Sequence, residues 1–143
     1  MKAAIVAGCR TAFLRSGTDF ADLPAIELGK VAVRDALGRS GLPGSRVDQL
    51  IYGTVVHDTK APNIAREVGL GVLPKTVPAV AVSRACASAN QAIADVVVAG
   101  GAESLSRVPI TASDKLAKSL AEASKARTVG QRLGSFRRIR PKD

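Results

Sequence analysis

Apolar residues fall in short blocks along this chain, separated by polar stretches rich in glycine, and the spacing inside the blocks alternates between two kinds. Residues 3–7, Ala-Ala-Ile-Val-Ala, form an unbroken apolar run that stops at Gly8 and predicts a short buried strand. From Asp22 the pattern becomes helical. Asp22 is placed to cap a helix, Pro24 suits its first turn, and Gly41-Leu42-Pro43-Gly44 ends it. On a helical projection Glu27, Lys30 and Arg34 share a narrow arc, while Ile26, Leu28, Val31, Ala32, Val33 and Leu37 fill most of the rest. Such a helix is expected to be covered on most sides.

Residues 50–56 read as a second strand, and a short helix over 63–68 is bracketed by Pro62 and Gly69. A third strand over 77–83 begins with Pro78, a helix of small residues runs through Cys86, and a fourth apolar strand follows at 95–100. Strands alternating with helices predict an α/β fold, layered, with a mainly parallel sheet covered by helices. Past Pro109 the character changes. Ser113 is placed to cap a helix in which Leu116, Ala117, Leu120 and Ala121 recur at helical spacing among lysines, and residues 137–143 are expected to fray. The division expected is therefore 1–113 as the α/β domain and 114–143 as a basic helical segment.

Composition sharpens this picture. With 143 residues and 46% hydrophobic content the chain can bury one core, and with 3% aromatic residues and no Trp that core must be Val, Leu, Ile and Ala. The formal charge of +9 is concentrated, since residues 115–143 hold nine Lys or Arg against Glu122 and Asp143. A solvated face is the preferred reading, with attraction of a polyanion second and nucleic acid disfavoured, because Phe136 is the segment's only aromatic side chain. Finally, no run of about 18 apolar residues occurs, and Arg10 comes too early for a signal peptide, so the expectation is a cytoplasmic protein without a membrane span. Cys9 and Cys86 follow no ligand spacing, which argues against both a disulfide and a zinc site.

The sharpest local feature is Ser83-Arg84-Ala85-Cys86-Ala87-Ser88-Ala89-Asn90, where an apolar strand, expected to be central in the sheet, is predicted to turn into a helix capped by Ser83 with Cys86 in its first turn. Unpaired N–H groups and the positive end of a helix dipole favour thiolate over thiol there, and the small neighbours leave room for a substrate. From the residues alone two readings stand, a reactive Cys86 or an inert buried thiol.

The same segment, continued by Asn90-Gln91-Ala92-Ile93, resembles the nucleophile motif of the thiolase family. Three more segments agree in order, namely Ile5-Val6-Ala7-Gly8-Cys9-Arg10-Thr11-Ala12-Phe13, Ala61-Pro62-Asn63-Ile64-Ala65-Arg66-Glu67 and Val98-Ala99-Gly100-Gly101-Ala102-Glu103-Ser104-Leu105-Ser106. The likeness is nearest to the 3-ketoacyl-CoA thiolases of fatty-acid β-oxidation, of the multienzyme-complex beta-subunit type, and to their amino-terminal half only. It implies a layered thiolase-type fold and an acyltransferase in which Cys86 attacks the keto carbon of a 3-ketoacyl-CoA. Acetyl-CoA then leaves, and coenzyme A takes the acyl group as co-substrate, with no permanently bound cofactor. It also implies a homo-oligomer or a complementary carboxy-terminal half as partner. The family's activating histidine, its second cysteine and its thioester-binding histidine belong to that other half, so this chain alone is not expected to turn over. A non-catalytic truncated remnant or interaction module is the alternative from a different class.

Several residues have plainer readings beside the family ones. His57 lies outside the motifs and reads as a loop residue, and Cys9 reads as a small core side chain. Residues 100–104 either line the substrate pocket or form a tight strand exit that needs glycine, while Asn63 and Arg66 either shape the pocket or serve a helix terminus. Arg10 and Thr11 read as loop structure. The family continues the Cys86 helix for several turns, whereas here Ala94 runs straight into the strand at Asp95, so internal shortening is expected near 94–95. The crossover from Arg84 to Asp95 only just reaches the length of about a dozen residues that a parallel connection needs. The basic segment corresponds to the start of an incomplete loop domain that, in the family, meets the phosphates of coenzyme A.

Overall fold

The computed structural model describes residues 4–94, 98–107, 113–126 and 128–136. The chain forms two compact units, Met1–Pro109 and Ile110–Asp143. In the first, strands β1 (Leu50–Gly53), β2 (Ala79–Val82) and β3 (Val98–Gly101) make a parallel sheet of order β2-β1-β3. Leu50 pairs with Ala79 on one side and Val98 on the other. Parallel strands need crossovers, and these are the helices α2 (Ile64–Leu70) and α3 (Ser88–Ala94), while α1 (Ala25–Ser40) precedes β1. The α1 and α2 helices pack together on one face and α3 lies on the other, as expected from the alternating pattern.

The central strand explains the layering. All four residues of β1 are buried, which only a strand covered on both faces achieves. Leu50 and Tyr52 point into a core with Val33 of α1 and Ala65 and Val68 of α2. Gly53, of opposite parity, meets α3. Tyr52 is the one large aromatic in this core, and burial, followed by the nearby Cys9, pushes its phenol up to about 12. It is a core residue with its proton held in place.

Four expectations are corrected here. Residues 4–8 form no strand, and Ile5 and Val6 are 85% and 73% exposed. An apolar run becomes a strand only where a neighbour satisfies its N–H and C=O groups, and among the described residues the sheet ends at β3. Asp22 does not cap α1. The helix starts after Pro24, which sits extended at the cap position without a side-chain cap. Proline keeps its predecessor Leu23 out of the helical region, so Asp22 is too far back to serve. The third concerns the second unit, where helix α4 (Asp114–Lys125) was expected and the helix after it, α5 (Val129–Gly134), was not. Ser113 caps α4 by accepting from the Leu116 N–H, as expected, but the inward stripe is Leu116, Ser119 and Ala123, with Leu120 49% exposed. The α4 helix packs against α5, and the spacing of leucines on α4 alone does not reveal which stripe is buried. The fourth, Cys86, belongs with the site below.

Elsewhere the local signals held. Gly41 ends α1 at φ 68°, a left-handed stop that glycine adopts without steric cost. Asn63 caps α2 by accepting from the Arg66 N–H at 3.0 Å. The fourth predicted strand is observed from Val98, and residues 95–97 lie outside the described residues, as do 137–143. No helix among the described residues is long and apolar enough to cross a membrane.

Candidate active site

The segment that carries Cys86 leaves β2 at Val82 and enters α3 at Ser88. Cys86 was expected in the first turn of that helix, capped by Ser83, after a central strand. Instead it is exposed in the turn ahead of α3, and among the described residues β2 is an edge strand. The reason is local geometry. Ala85 takes φ 46°, a left-handed turn that breaks any helix begun at Ser83. The hydroxyl that closes the turn is that of Ser88, which accepts from the Arg84 N–H at 2.8 Å and donates to the Ala85 carbonyl at 2.7 Å. A helix terminus therefore does not account for any reactivity of this sulfur. What the structure does supply is access, because the thiol stands at the surface on a turn tied at both ends.

Two glycines let α3 lie close on the sheet. A Cβ on Gly53 would come within 2.5 Å of the Ser88 carbonyl carbon and 2.6 Å of the Ala89 nitrogen, and one on Gly101 within 2.8 Å of the Ala89 Cβ. Gly100 likewise makes room for the Tyr52 ring, 2.7 Å from where its Cβ would stand. Gly100 and Gly101 are thus required for close approach inside β3, and neither adopts a positive φ. Of the two readings offered for residues 100–104, the tight exit is replaced by close packing.

The residues after β3 act as a clasp. The Glu103 carboxylate accepts from the Thr54 hydroxyl at 3.1 Å, from the Val55 N–H, and from the Val56 N–H at 3.3 Å, joining the exits of β1 and β3. Ser104 donates to the Leu23 carbonyl at 2.8 Å and Ser106 accepts from the Gly17 N–H at 2.9 Å, so the same turn pins the loop before α1. Beside this clasp, at the carboxyl end of β1, a cavity of about 390 Å³ is lined by Ile26, Thr54, Lys60, Ile64, Ser104 and Arg107 among others. Cys86 does not line it.

The other candidates resolve as structural groups. Asn63 also donates to the Ala79 carbonyl at 3.3 Å, and Arg66 donates to the carbonyls of Lys75 and Val77 at 3.1 and 3.2 Å, so both hold α2 to the start of β2. Arg10 donates to the carbonyl of adjacent Thr11, and His57 is exposed in the loop after β1. Cys9 is half-buried against α1 and outside the core cluster, donating to the Ala32 carbonyl at 2.9 Å. Partial burial, then the Asp35 carboxylate, push its thiol up, with Arg39 opposing. Among the described residues no cluster of three His, Cys, Asp or Glu is placed to hold a metal.

Sequence reading missed the left-handed Ala85, the Ser88 closure and the Glu103 clasp. Alanine carries no mark of a positive φ, and the clasp spans about 50 positions. Small residues at 88 and 89 facing glycines at 53 and 101 are the one signal that could have placed α3.

A parallel sheet sandwiched by crossover helices, with a cysteine displayed where an edge strand turns into a helix, defines an α/β domain of layered type. Within that class the comparisons are specific. The family profile described as the thiolase N-terminal domain matches residues 3–133. The chain is 47% identical to the 3-ketoacyl-CoA thiolase of Pseudoalteromonas translucida and 46% identical to that of Cronobacter sakazakii, each over 98% of this chain and 35% of the relative. Among solved structures, acetyl-CoA acetyltransferase of Bacillus anthracis superposes with a TM-score of 0.72 at 28% identity, over 76% of this chain and 30% of that one. Acat5 thiolase from Ascaris suum, in complex with coenzyme A, gives 0.70 at 28% identity, over 76% and 32%. The chain belongs to the thiolase family, in its amino-terminal domain. It spans about a third of the length of the curated relatives it matches.

Proposed function

We propose that this chain is the nucleophile-bearing portion of a 3-ketoacyl-CoA thiolase, an acyltransferase acting in fatty-acid β-oxidation. The observation that carries the reading is 47% identity to such an enzyme over nearly the whole chain, with Cys86 exposed on its turn. The Cys86 sulfur attacks the keto carbon of a 3-ketoacyl-CoA and forms a C–S bond. The bond from that carbon to the α-carbon then breaks, its electron pair is protonated, and acetyl-CoA leaves. The sulfur of coenzyme A next attacks the acyl carbon and the C–S bond to Cys86 breaks, returning the thiol.

The chain's own contribution is to present the nucleophile on a fixed turn. Protonation of the α-carbon and stabilisation of the oxyanion fall to groups in the part of the relatives' length that this chain does not span. A complementary carboxy-terminal portion, with assembly into a homo-oligomer, supplies them. The exposed cationic side chains of α4 suit the phosphates of coenzyme A, which is a co-substrate here and not a resident cofactor. Cytoplasmic location agrees with bacterial relatives of this kind.

Residue loss after Ala94 belongs to the same proposal. The alignment with the relatives runs over 152 positions, more than the 143 residues of the chain, so they carry residues it lacks. The α3 helix has seven residues, and a crossover this short is where the loss fits.

The test is thiolysis of acetoacetyl-CoA by the purified 143-residue polypeptide. Losing oxyanion donors costs about a hundredfold or more each, and acid–base groups on the order of another hundredfold, so no measurable turnover is expected from the chain alone. Adding the carboxy-terminal portion of a relative restores it, and Cys86→Ala abolishes it again. Restored turnover that survives Cys86→Ala would overturn the proposal.

A further inference from the structure

We propose that Ser88 is a positioning residue, whose hydroxyl holds the left-handed turn at Ala85 and thereby fixes the Cys86 sulfur. The role rests on the reading of Cys86 as the acyl acceptor. Among the described residues Ala85 is the only non-glycine with positive φ, at 46°. Alanine is disfavoured there because its Cβ crowds the following carbonyl, so the turn persists only if neighbouring groups hold it.

Ser88 reaches both sides of the strained residue. It accepts from the Arg84 N–H at 2.8 Å and donates its single hydroxyl proton to the Ala85 carbonyl at 2.7 Å, one donor and one acceptor role that a lone hydroxyl can fill together. The side chain is buried, with 3% exposure, so water does not compete for these bonds. The backbone adds two ties, Ala87 N–H to the Arg84 carbonyl at 3.0 Å and Ser88 N–H to the Ala85 carbonyl at 3.1 Å, but neither satisfies the Arg84 N–H.

Ser88 is itself immobile because its backbone lies on Gly53 of the central strand, where a Cβ would come within 2.5 Å. Position therefore passes from the core strand to Ser88, from Ser88 to the turn, and from the turn to an exposed cysteine. If Ser88 loses its hydroxyl, the Arg84 N–H is orphaned and Ala85 is released toward ordinary φ, carrying Cys86 away from its place. Glycine at 85 would keep the left-handed turn without help, because it has no Cβ to relieve.

The experiment measures acetylation of Cys86 by acetyl-CoA, in which the sulfur displaces the CoA thiolate from the acetyl carbon, with the carboxy-terminal portion of a relative added, followed by intact mass in a Cys9→Ala background. Ser88→Ala should lower the rate at saturating acetyl-CoA by about tenfold while leaving the half-saturating concentration unchanged, the signature of a misplaced nucleophile and not of lost binding. Ser88→Thr, which keeps the hydroxyl, and the double variant Ala85→Gly with Ser88→Ala should both recover to within about threefold of the parent. A merely structural serine would not be rescued by glycine three residues earlier. If the parent, supplied with that carboxy-terminal portion, is not acetylated at Cys86, the acyl-acceptor reading fails and the role with it. If the parent is acetylated and Ser88→Ala matches it, the positioning role alone is overturned. Should Ser88→Ala not fold, the double variant decides, and a folded double variant still tenfold slow overturns the proposal.

Discussion

Replacing Gly53 by alanine adds one methyl group where β1 meets the first turn of α3. That methyl carbon would stand 2.5 Å from the Ser88 carbonyl carbon, 2.6 Å from the Ala89 nitrogen and 2.7 Å from the Ser88 oxygen, all of them backbone atoms. Carbon–carbon contacts are comfortable at about 3.5–4 Å, so α3 must retreat by about 1 Å or more. A side chain could turn aside, but a helix backbone must move as a body and loosen its seat on β1 and β3. Overpacking costs about 1–3 kcal/mol, and a clash made entirely with backbone belongs at the upper end of that range. For a unit of roughly this size each kcal/mol moves the melting temperature by about 4–8 °C, so Gly53→Ala should melt roughly 10–20 °C below the parent. Thermal unfolding followed by circular dichroism measures it, with far-UV spectra at low temperature confirming a folded start. A variant melting within about 2 °C of the parent, less than 1 kcal/mol would give, would show that α3 does not sit on Gly53 and would remove the anchor of the Cys86 turn.

Gly38 is the matched control. It lies inside α1 with nothing within 4 Å of its missing Cβ, so Gly38→Ala should stabilise by about 0.5–1 kcal/mol, raising the same melting curve. Asn63→Ala removes the cap of α2 and should cost about 1–2 kcal/mol in urea unfolding, whereas Asn63→Asp, which keeps the acceptor for the Arg66 N–H, should recover most of it. The two thiols should also differ in pH dependence. Burial and the Asp35 carboxylate raise the Cys9 thiol above its ordinary value, so less of it is thiolate at any given pH. Its alkylation by iodoacetamide, followed in a Cys86→Ala background, should rise only at higher pH than for a free cysteine, and a normal profile in the folded chain would contradict the placement of Cys9 against α1.

Much of this protein is written in short-range signals. Gly41 stops α1, Asn63 and Ser113 cap their helices, and the strands expected over 50–56, 77–83 and 95–100 are observed in that order at Leu50–Gly53, Ala79–Val82 and Val98–Gly101. Each depends on residues within about a turn of one another, or on a repeat of strand and helix that admits few arrangements. The family likeness was legible for the same reason, as four collinear segments.

Tertiary structure decided what lies opposite what. Residues 4–8 have as strand-like a pattern as 50–53, yet only the second run has partners on both edges, and an apolar pattern states that a segment can be covered without stating by what. The same limit hid the clasp of Glu103 on Thr54, Val55 and Val56, whose partners are 47–49 positions apart. Cys86 shows the point most directly. Sequence placed it between a strand and a helix, but whether it entered the helix or stood before it turned on one backbone angle at Ala85, and that angle is held by Ser88, which Gly53 admits to the surface of the sheet. An alanine has no local preference for that conformation, so only packing from a distant strand can impose it.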